Sequence, residues 1–150
     1  VEIRSPDATR PWQHVLEPLS GYLNLGQVVY KDRTLSGEGF NFGPRSEQNH
    51  SVKRLVEDLS YYWNFKNIDD AYTVTDNIPF HEAGLLKLNC DKAMFYFKWQ
   101  PTMEYKDTIR MTSEWYYNFY SKGGDVFNKT LEQISEYEHI ARQKGLMWTE

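Results

Sequence analysis

A short loop near the N-terminus combines a permanent positive charge with an aromatic ring. Arg10 and Trp12 flank Pro11, which stiffens the chain just before a segment with helical spacing. A guanidinium binds phosphate through bidentate, charge-assisted hydrogen bonds and stays protonated at physiological pH. The indole beside it offers a flat face on which a base or a sugar can stack. The residue types alone slightly favour the alternative, which is a buried structural arginine beside a core tryptophan.

A second polar pair, His81-Glu82, lies between Pro79-Phe80 and an apolar run that starts at Leu85. A carboxylate such as that of Glu82 can accept hydrogen bonds from both hydroxyls of a ribose. The alternative interpretation is a solvated loop, and the sequence leaves both open.

Patterns for metal binding and nucleophilic catalysis are weak. The His81-Glu82 pair resembles the start of a zinc-protease helix, but the second histidine, required one turn later, is missing. The four histidines lie far apart in sequence, so we expect no metal site. Cys90 can pair with a histidine as a nucleophile, but a lone cysteine more often packs as a small hydrophobe. The sequence favours the packing role.

Two further patterns match nucleotide enzymes only in spacing. Tyr62 and Lys66 have the Tyr-x-x-x-Lys spacing by which short-chain dehydrogenases lower the pKa of a tyrosine. No glycine-rich nucleotide loop or serine-bearing strand precedes Tyr62, so we interpret this segment as the frayed end of an amphipathic helix. The segment Gly37-Glu38-Gly39 lacks the third glycine of a dinucleotide turn.

The composition predicts a folded chain. Its 150 residues are 40% hydrophobic and 16% aromatic, enough for a single unit with a core and too rich in bulky side chains for a disordered segment. No apolar run approaches the ~20 residues of a membrane span, and Val1-Glu2-Ile3-Arg4 has neither the basic start nor the apolar run of a signal peptide, so we expect neither membrane spanning nor secretion. The single cysteine, Cys90, is compatible with a reducing cytoplasm.

The charge distribution indicates which class of partner the chain binds. The formal net charge is -4, and the Lys and Arg residues are dispersed without a basic run. Nucleic-acid binding depends on neutralising phosphates, so we expect a small-molecule or protein partner instead. The chain begins with Val1 rather than Met, and we therefore expect it to be a part of something longer.

The spacing of apolar residues predicts an α/β fold in which helices dominate. Turn residues and possible caps bound the elements, and we treat residues 1–150 as one unit without repeats or linkers. The predicted helices run from Leu16 to near Lys31, from a Ser51 cap to about Trp63, from an Asn89 or Asp91 cap to Phe97, from Thr102 to Gly123 and from about Asp125 onward. Short strands are predicted at 1–4, 40–42, 72–75 and 85–88.

Several runs, in order along the chain, resemble the C-terminal half of CDP-glucose 4,6-dehydratases, a family of extended short-chain dehydrogenase/reductases. The most specific run is Arg10-Pro11-Trp12-Gln13-His14-Val15-Leu16-Glu17-Pro18. The others are Asn41-Phe42-Gly43-Pro44, His81-Glu82-Ala83, Leu86-Lys87-Leu88-Asn89-Cys90-Asp91-Lys92-Ala93, Trp99-Gln100-Pro101, Thr112-Ser113-Glu114-Trp115-Tyr116 and Gln133-Ile134-Ser135-Glu136-Tyr137. Together they span almost the whole chain.

The resemblance implies the helix-rich, C-terminal substrate-binding part of a Rossmann-like fold. It implies an NAD-dependent lyase that converts CDP-glucose to CDP-4-keto-6-deoxyglucose and water, for deoxysugars of surface polysaccharides such as lipopolysaccharide O-antigen. Arg10 matches the arginine that contacts the nucleotide diphosphate, and Trp12 the aromatic residue beside it. Glu82 matches an acidic position that binds the ribose, with His81 near the phosphates. A CDP-sugar is the expected ligand, and the full-length protein is expected to be a cytoplasmic homodimer.

The catalytic parts of such enzymes have no counterpart in this chain. The NAD turn, the Tyr-x-x-x-Lys pair and the acid/base residues all lie in the N-terminal half of the family, so the chain alone is expected to bind no NAD and to hold no catalytic residue. Asn89 also stands where the family pattern has an acidic residue. The alternatives are a truncated, non-catalytic binding or assembly module and another nucleotide-sugar epimerase or dehydratase. The first helix is expected to expose apolar surface that packs on the missing lobe.

Overall fold

The computed structural model describes residues 1–75 and 83–149, apart from the side chain of Lys122. Helices dominate this part of the chain, and its strands are two residues long. The α-helices are α1 (Leu16–Lys31), α2 (Val52–Tyr62), α3 (Asp91–Phe97), α4 (Tyr105–Tyr117) and α5 (Val126–Gln143), and the strands are β1 (Glu2–Ile3), β2 (Thr9–Arg10), β3 (His50–Ser51) and β4 (Thr73–Val74). This content is consistent with the predicted helix-rich α/β class.

The strands form two small ribbons. β1 pairs with β4 in parallel, and β2 pairs with β3 in antiparallel register, with Thr9 opposite Ser51 and Arg10 opposite His50. Thr9 also forms an isolated parallel bridge with Leu85. Ribbons this short have little stability of their own, so they depend on the helices that pack around them.

Three helix ends follow local capping chemistry that is visible in the sequence, whereas α1 and α3 begin without a side-chain cap. The Ser51 side chain accepts a hydrogen bond from the backbone N–H of Arg54, and Asp125 caps α5 in the same way. A π-helical turn (Asn118–Lys122) extends α4 and ends at Gly123, which adopts a left-handed φ of 55°. Glycine is the residue that tolerates this conformation best. The predicted Ser51 and Asp125 starts and the Gly123 end are therefore confirmed.

The main hydrophobic cluster packs α3 and the loop after it against α1. Its buried members are Phe42, Ala93, Phe97 and Trp99, and Trp99 is 1% exposed. Gly21 on α1 lies so close to the Phe42 ring that a Cβ atom at this position would overlap with it. The chain therefore requires glycine here for the close approach of Phe42 to α1.

A buried carboxylate joins three parts of the molecule. Glu17 on α1 is 2% exposed, and it accepts hydrogen bonds from the backbone N–H groups of Thr102 at 3.0 Å and Met103 at 2.6 Å. The Tyr137 hydroxyl on α5 lies 3.1 Å from the same carboxylate and 2.9 Å from Ser20 Oγ. Glu17 thereby ties α1 to α5 and to the loop before α4.

We expect the burial of Glu17 to make part of the stability depend on pH. Desolvation raises the pKa of this carboxyl above its ordinary value, and the hydrogen bonds that lower it do not compensate. The folded chain then holds more protons than the unfolded chain between the two pKa values, so the free energy of unfolding falls as pH rises through the folded pKa. Denaturant unfolding of the wild type and Glu17→Gln between about pH 4 and about pH 8 measures this effect. The prediction is contradicted if the free energy of unfolding of the wild type, minus that of Glu17→Gln, grows as pH rises.

Two predicted strands are wrong. Residues 40–42 form no strand in the described structure, because the Phe42 carbonyl accepts a hydrogen bond from Gln13 Nε2 at 3.0 Å and the Phe42 ring fills the main cluster. The predicted strand at 85–88 is limited to the single bridge at Leu85. Strands at 1–4 and 72–75 are confirmed in shorter form as β1 and β4.

The start of α4 also differs from the prediction. The helix begins at Tyr105 rather than Thr102, because Glu17 binds the N–H groups of Thr102 and Met103. Glu104 and Asp107 then form a reciprocal capping box at the observed start. The tertiary contact of Glu17 thus sets the start of α4, which the spacing of apolar residues predicts about one turn earlier.

Large apolar side chains of α1 and the residue before it are exposed, as predicted for the first helix. Leu23 is 73% exposed and Tyr30 is 84% exposed, and Val15, Leu19 and Tyr22 are exposed as well. That this surface packs on a further lobe stays a prediction. No helix within the described ranges is long and apolar enough to cross a membrane.

Candidate functional site

Three chain segments converge on Arg10. β2 lies between β3 on one side and the residues around Leu85 on the other, and the Thr9 backbone N–H donates to the Gly84 carbonyl at 2.8 Å. The guanidinium donates from Nη1 to the carbonyls of Thr9 at 2.8 Å and Ala83 at 3.0 Å. The structure therefore holds the Arg10 side chain against the segment that follows Glu82 directly in sequence.

His81 and Glu82 themselves lie outside the described residues. Their predicted contacts to ribose and phosphates stay predictions, as do the roles of Arg10 and Trp12. The structure does fix the position of Ala83, the next residue along the chain, within hydrogen-bond distance of Arg10.

Trp12 is half-buried rather than part of a core cluster. Its backbone N–H donates to the Arg10 carbonyl at 2.9 Å, which closes a tight turn, and its Nε1–H donates to the His50 carbonyl at 2.8 Å. The turn and the side-chain bond fix the indole beside the β2–β3 ribbon. Arg10 and Trp12 are thus both positioned by contacts to neighbouring backbone.

His14 is a structural residue. It is 6% exposed, and its Nδ1 accepts a hydrogen bond from the Leu16 backbone N–H at 3.3 Å. Burial lowers the pKa of this imidazole, because desolvation disfavours the charged form. Since Nδ1 accepts, the proton of the neutral ring resides on Nε2. His14 therefore acts as a neutral group that shapes the start of α1.

A groove between α2 and α4 adjoins the β2–β3 ribbon, and the sequence patterns do not predict it. Its volume is about 560 Å³, and its lining consists of His50, Arg54, Asp58, Tyr61, Tyr62, Tyr105, Lys106 and Ile109. The His50 and Tyr105 rings stack with centroids 3.7 Å apart, and Arg54 Nε donates to Asp58 Oδ2 at 2.8 Å. Burial and the Asp58 carboxylate raise the pKa of the Tyr105 hydroxyl far above its usual range. The i,i+4 spacing of Arg54 and Asp58 on a predicted helix was the available signal.

Cys90 lines a separate cavity of about 630 Å³ together with the loop from Gly43 to Glu47 and the residues from Lys87 to Asp91. Burial raises the pKa of the Cys90 thiol, so the reactive thiolate is disfavoured. The thiol lies 3.9 Å from the Gly43 carbonyl. These contacts favour the packing role that the sequence indicates.

The Tyr62 and Lys66 pair has no catalytic geometry. α2 ends at Tyr62, and Asn64 adopts a left-handed φ of 55°, so Lys66 does not lie one helical turn beyond the tyrosine. This geometry confirms the interpretation as a helix end. Among the described residues, no group of three or more His, Cys, Asp and Glu side chains is arranged to hold a metal ion.

Comparison with known proteins extends these observations. No family model matches the chain. Over 139 residues, 91% of its length, the chain is 39% identical to a CDP-glucose 4,6-dehydratase of Salmonella typhimurium. The predicted resemblance is confirmed. The match agrees with assignment to the C-terminal portion of such an enzyme, and the chain spans 37% of the length of that relative.

Proposed function

We propose that the chain is the nucleotide-sugar-binding portion of a CDP-glucose 4,6-dehydratase-like enzyme. The full-length protein would convert CDP-glucose to CDP-4-keto-6-deoxyglucose and water and supply deoxysugars for surface polysaccharides such as O-antigen. The observation that carries this proposal is the fixed guanidinium of Arg10, which donates to the carbonyls of Thr9 and of Ala83, the residue that follows Glu82 in sequence. The similarity to the Salmonella typhimurium enzyme supports the same assignment.

The proposed ligand contacts follow from the chemistry of each side chain. Arg10 donates charge-assisted hydrogen bonds to the diphosphate, and Trp12 supplies an aromatic face beside it. Glu82 accepts hydrogen bonds from the ribose hydroxyls, with His81 near the phosphates. No residue of this chain is assigned to the chemical steps.

The segment from Gly37 to Gly39 does not fit the glycine turn of an NAD site. It follows a 3-10 helix (Arg33–Leu35) rather than a strand, and a dinucleotide turn requires a strand before its glycines. We therefore propose that the full-length protein binds NAD through residues outside this chain. A cytoplasmic, homodimeric full-length enzyme completes the proposal, and the single cysteine of the chain is compatible with that compartment.

We expect Arg10→Ala to weaken binding of CDP by about 1.5–3 kcal/mol, because a charge-assisted contact to phosphate is lost. Titration calorimetry of the full-length gene product with CDP measures the change, and Glu82→Ala is expected to weaken the same binding. Arg142→Ala is a matched control, because Arg142 forms an exposed ion pair with Glu138 on α5. Unchanged CDP affinity in both the Arg10 and the Glu82 variants would show that the assigned roles are wrong.

A further inference from the structure

The groove between α2 and α4 lies next to Arg10 because of the register of the β2–β3 ribbon. Arg10 and His50 are directly opposite each other in the antiparallel pair, so their side chains project from the same face. His50 lines the groove, and its carbonyl is also the acceptor for Trp12 Nε1. A ligand whose phosphates lie at Arg10 can therefore extend into this groove.

The lining of the groove suits a flat heterocycle. The His50 and Tyr105 rings stack at an interplanar angle of 21°, and the Tyr61 and Tyr62 rings meet edge to face with centroids 5.5 Å apart. Aromatic faces bind nucleobases by stacking without regard to base identity. The volume of about 560 Å³ exceeds what a single base requires, so the ribose can enter as well.

A paired donor and acceptor lie on the α2 wall of the groove. Arg54 and Asp58 are held together at 2.8 Å, and the Asp58 side chain is 24% exposed. The guanidinium has further N–H donors besides the Nε–H that binds Asp58, and the carboxylate has further acceptor positions. This wall therefore offers donors and acceptors next to each other.

We propose that the groove holds the cytosine base of the nucleotide and that the Arg54–Asp58 pair reads its polar edge. Asp58 accepts a hydrogen bond from the exocyclic amino group, which is the usual partner of a carboxylate on cytosine. Arg54 donates to the ring nitrogen and carbonyl oxygen beside it. This inference rests on the proposed function, because it places the diphosphate at Arg10.

The Arg54–Asp58 pair also disfavours binding of uracil. Uracil presents a carbonyl oxygen where cytosine presents its amino group, and this oxygen would face the Asp58 carboxylate without a proton between them. An unmatched polar contact of this kind lowers affinity more than a missing neutral contact does. The proposal therefore predicts that CDP binds at least about tenfold more tightly than UDP.

Asp58→Asn tests the reading of the base edge without a change in side-chain size. An amide can accept from the amino group of cytosine or donate to the carbonyl of uracil, so the preference for CDP over UDP should fall by about threefold or more, and the remaining preference comes from Arg54 at the ring nitrogen. Calorimetric titration of the full-length gene product with CDP and with UDP gives the ratio. Glu138→Gln, in the exposed Glu138–Arg142 pair of α5, is the matched control and should keep the wild-type ratio.

His50→Ala separates stacking from edge reading. Loss of the imidazole should weaken CDP and UDP alike, by roughly tenfold, and leave their ratio unchanged. If the wild type binds neither nucleotide, the proposed function fails. A different result overturns only the base assignment. In that case the wild type binds CDP and Arg10→Ala weakens this binding, but the wild type does not prefer CDP over UDP, or Asp58→Asn keeps the wild-type ratio.

Discussion

Glu17→Ala is expected to lower the free energy of unfolding by about 3 kcal/mol or more. The carboxylate is the acceptor for the buried backbone N–H groups of Thr102 and Met103, and each unsatisfied buried group costs about 1–3 kcal/mol. The Tyr137 hydroxyl also loses a neighbour 3.1 Å away. Denaturant unfolding monitored by tryptophan fluorescence measures the loss.

Two further variants show whether the lost acceptor causes this effect. Glu17→Gln keeps the volume but turns one oxygen into an N–H donor group that faces another donor, so its destabilisation should be smaller than that of Glu17→Ala yet clear. Glu38→Ala is the matched control, because Glu38 forms an exposed ion pair with Lys92 and such pairs add little stability. If Glu17→Ala costs no more than Glu38→Ala, Glu17 does not join the helices as we describe.

Local chemistry explains which parts of the fold were predictable. Ser51, Asp125 and Gly123 act through backbone groups within a few residues, so their effect on helix ends is visible in the sequence. The start of α4 depends instead on Glu17, which lies more than 80 residues away along the chain. The spacing of apolar residues within α4 does not indicate that contact.

The candidate site, too, is predictable from the sequence only in part. Arg10 and Trp12 stand out because a guanidinium and an indole are adjacent to a proline in a single loop. The groove of His50, Arg54, Asp58 and Tyr105 draws on β3, α2 and α4, and the sequence does not show that these elements meet. The antiparallel register of Arg10 with His50 is the fact that connects the two sets.

Trp99→Ala is expected to cost about 3–5 kcal/mol of unfolding free energy, because a fully buried indole leaves a large cavity. The ring meets Phe42 edge to face with centroids 5.0 Å apart, and its Nε1–H donates to Ser20 Oγ at 3.1 Å. The variant therefore loses packing against the residue that approaches Gly21 and a buried hydrogen bond to α1. Thermal and denaturant unfolding measure the combined loss.

Two comparisons separate these contributions. Trp99→Phe retains an aromatic ring but removes the N–H donor to Ser20, so it should cost less than Trp99→Ala, with about 1 kcal/mol from the hydrogen bond. Tyr30→Ala removes an aromatic ring that is 84% exposed and should change stability little. Equal losses for Trp99→Ala and Tyr30→Ala would contradict the assignment of Trp99 to the core. A large loss at Trp99 alone would show that the cluster of Phe42, Ala93, Phe97 and Trp99 contributes much of the stability.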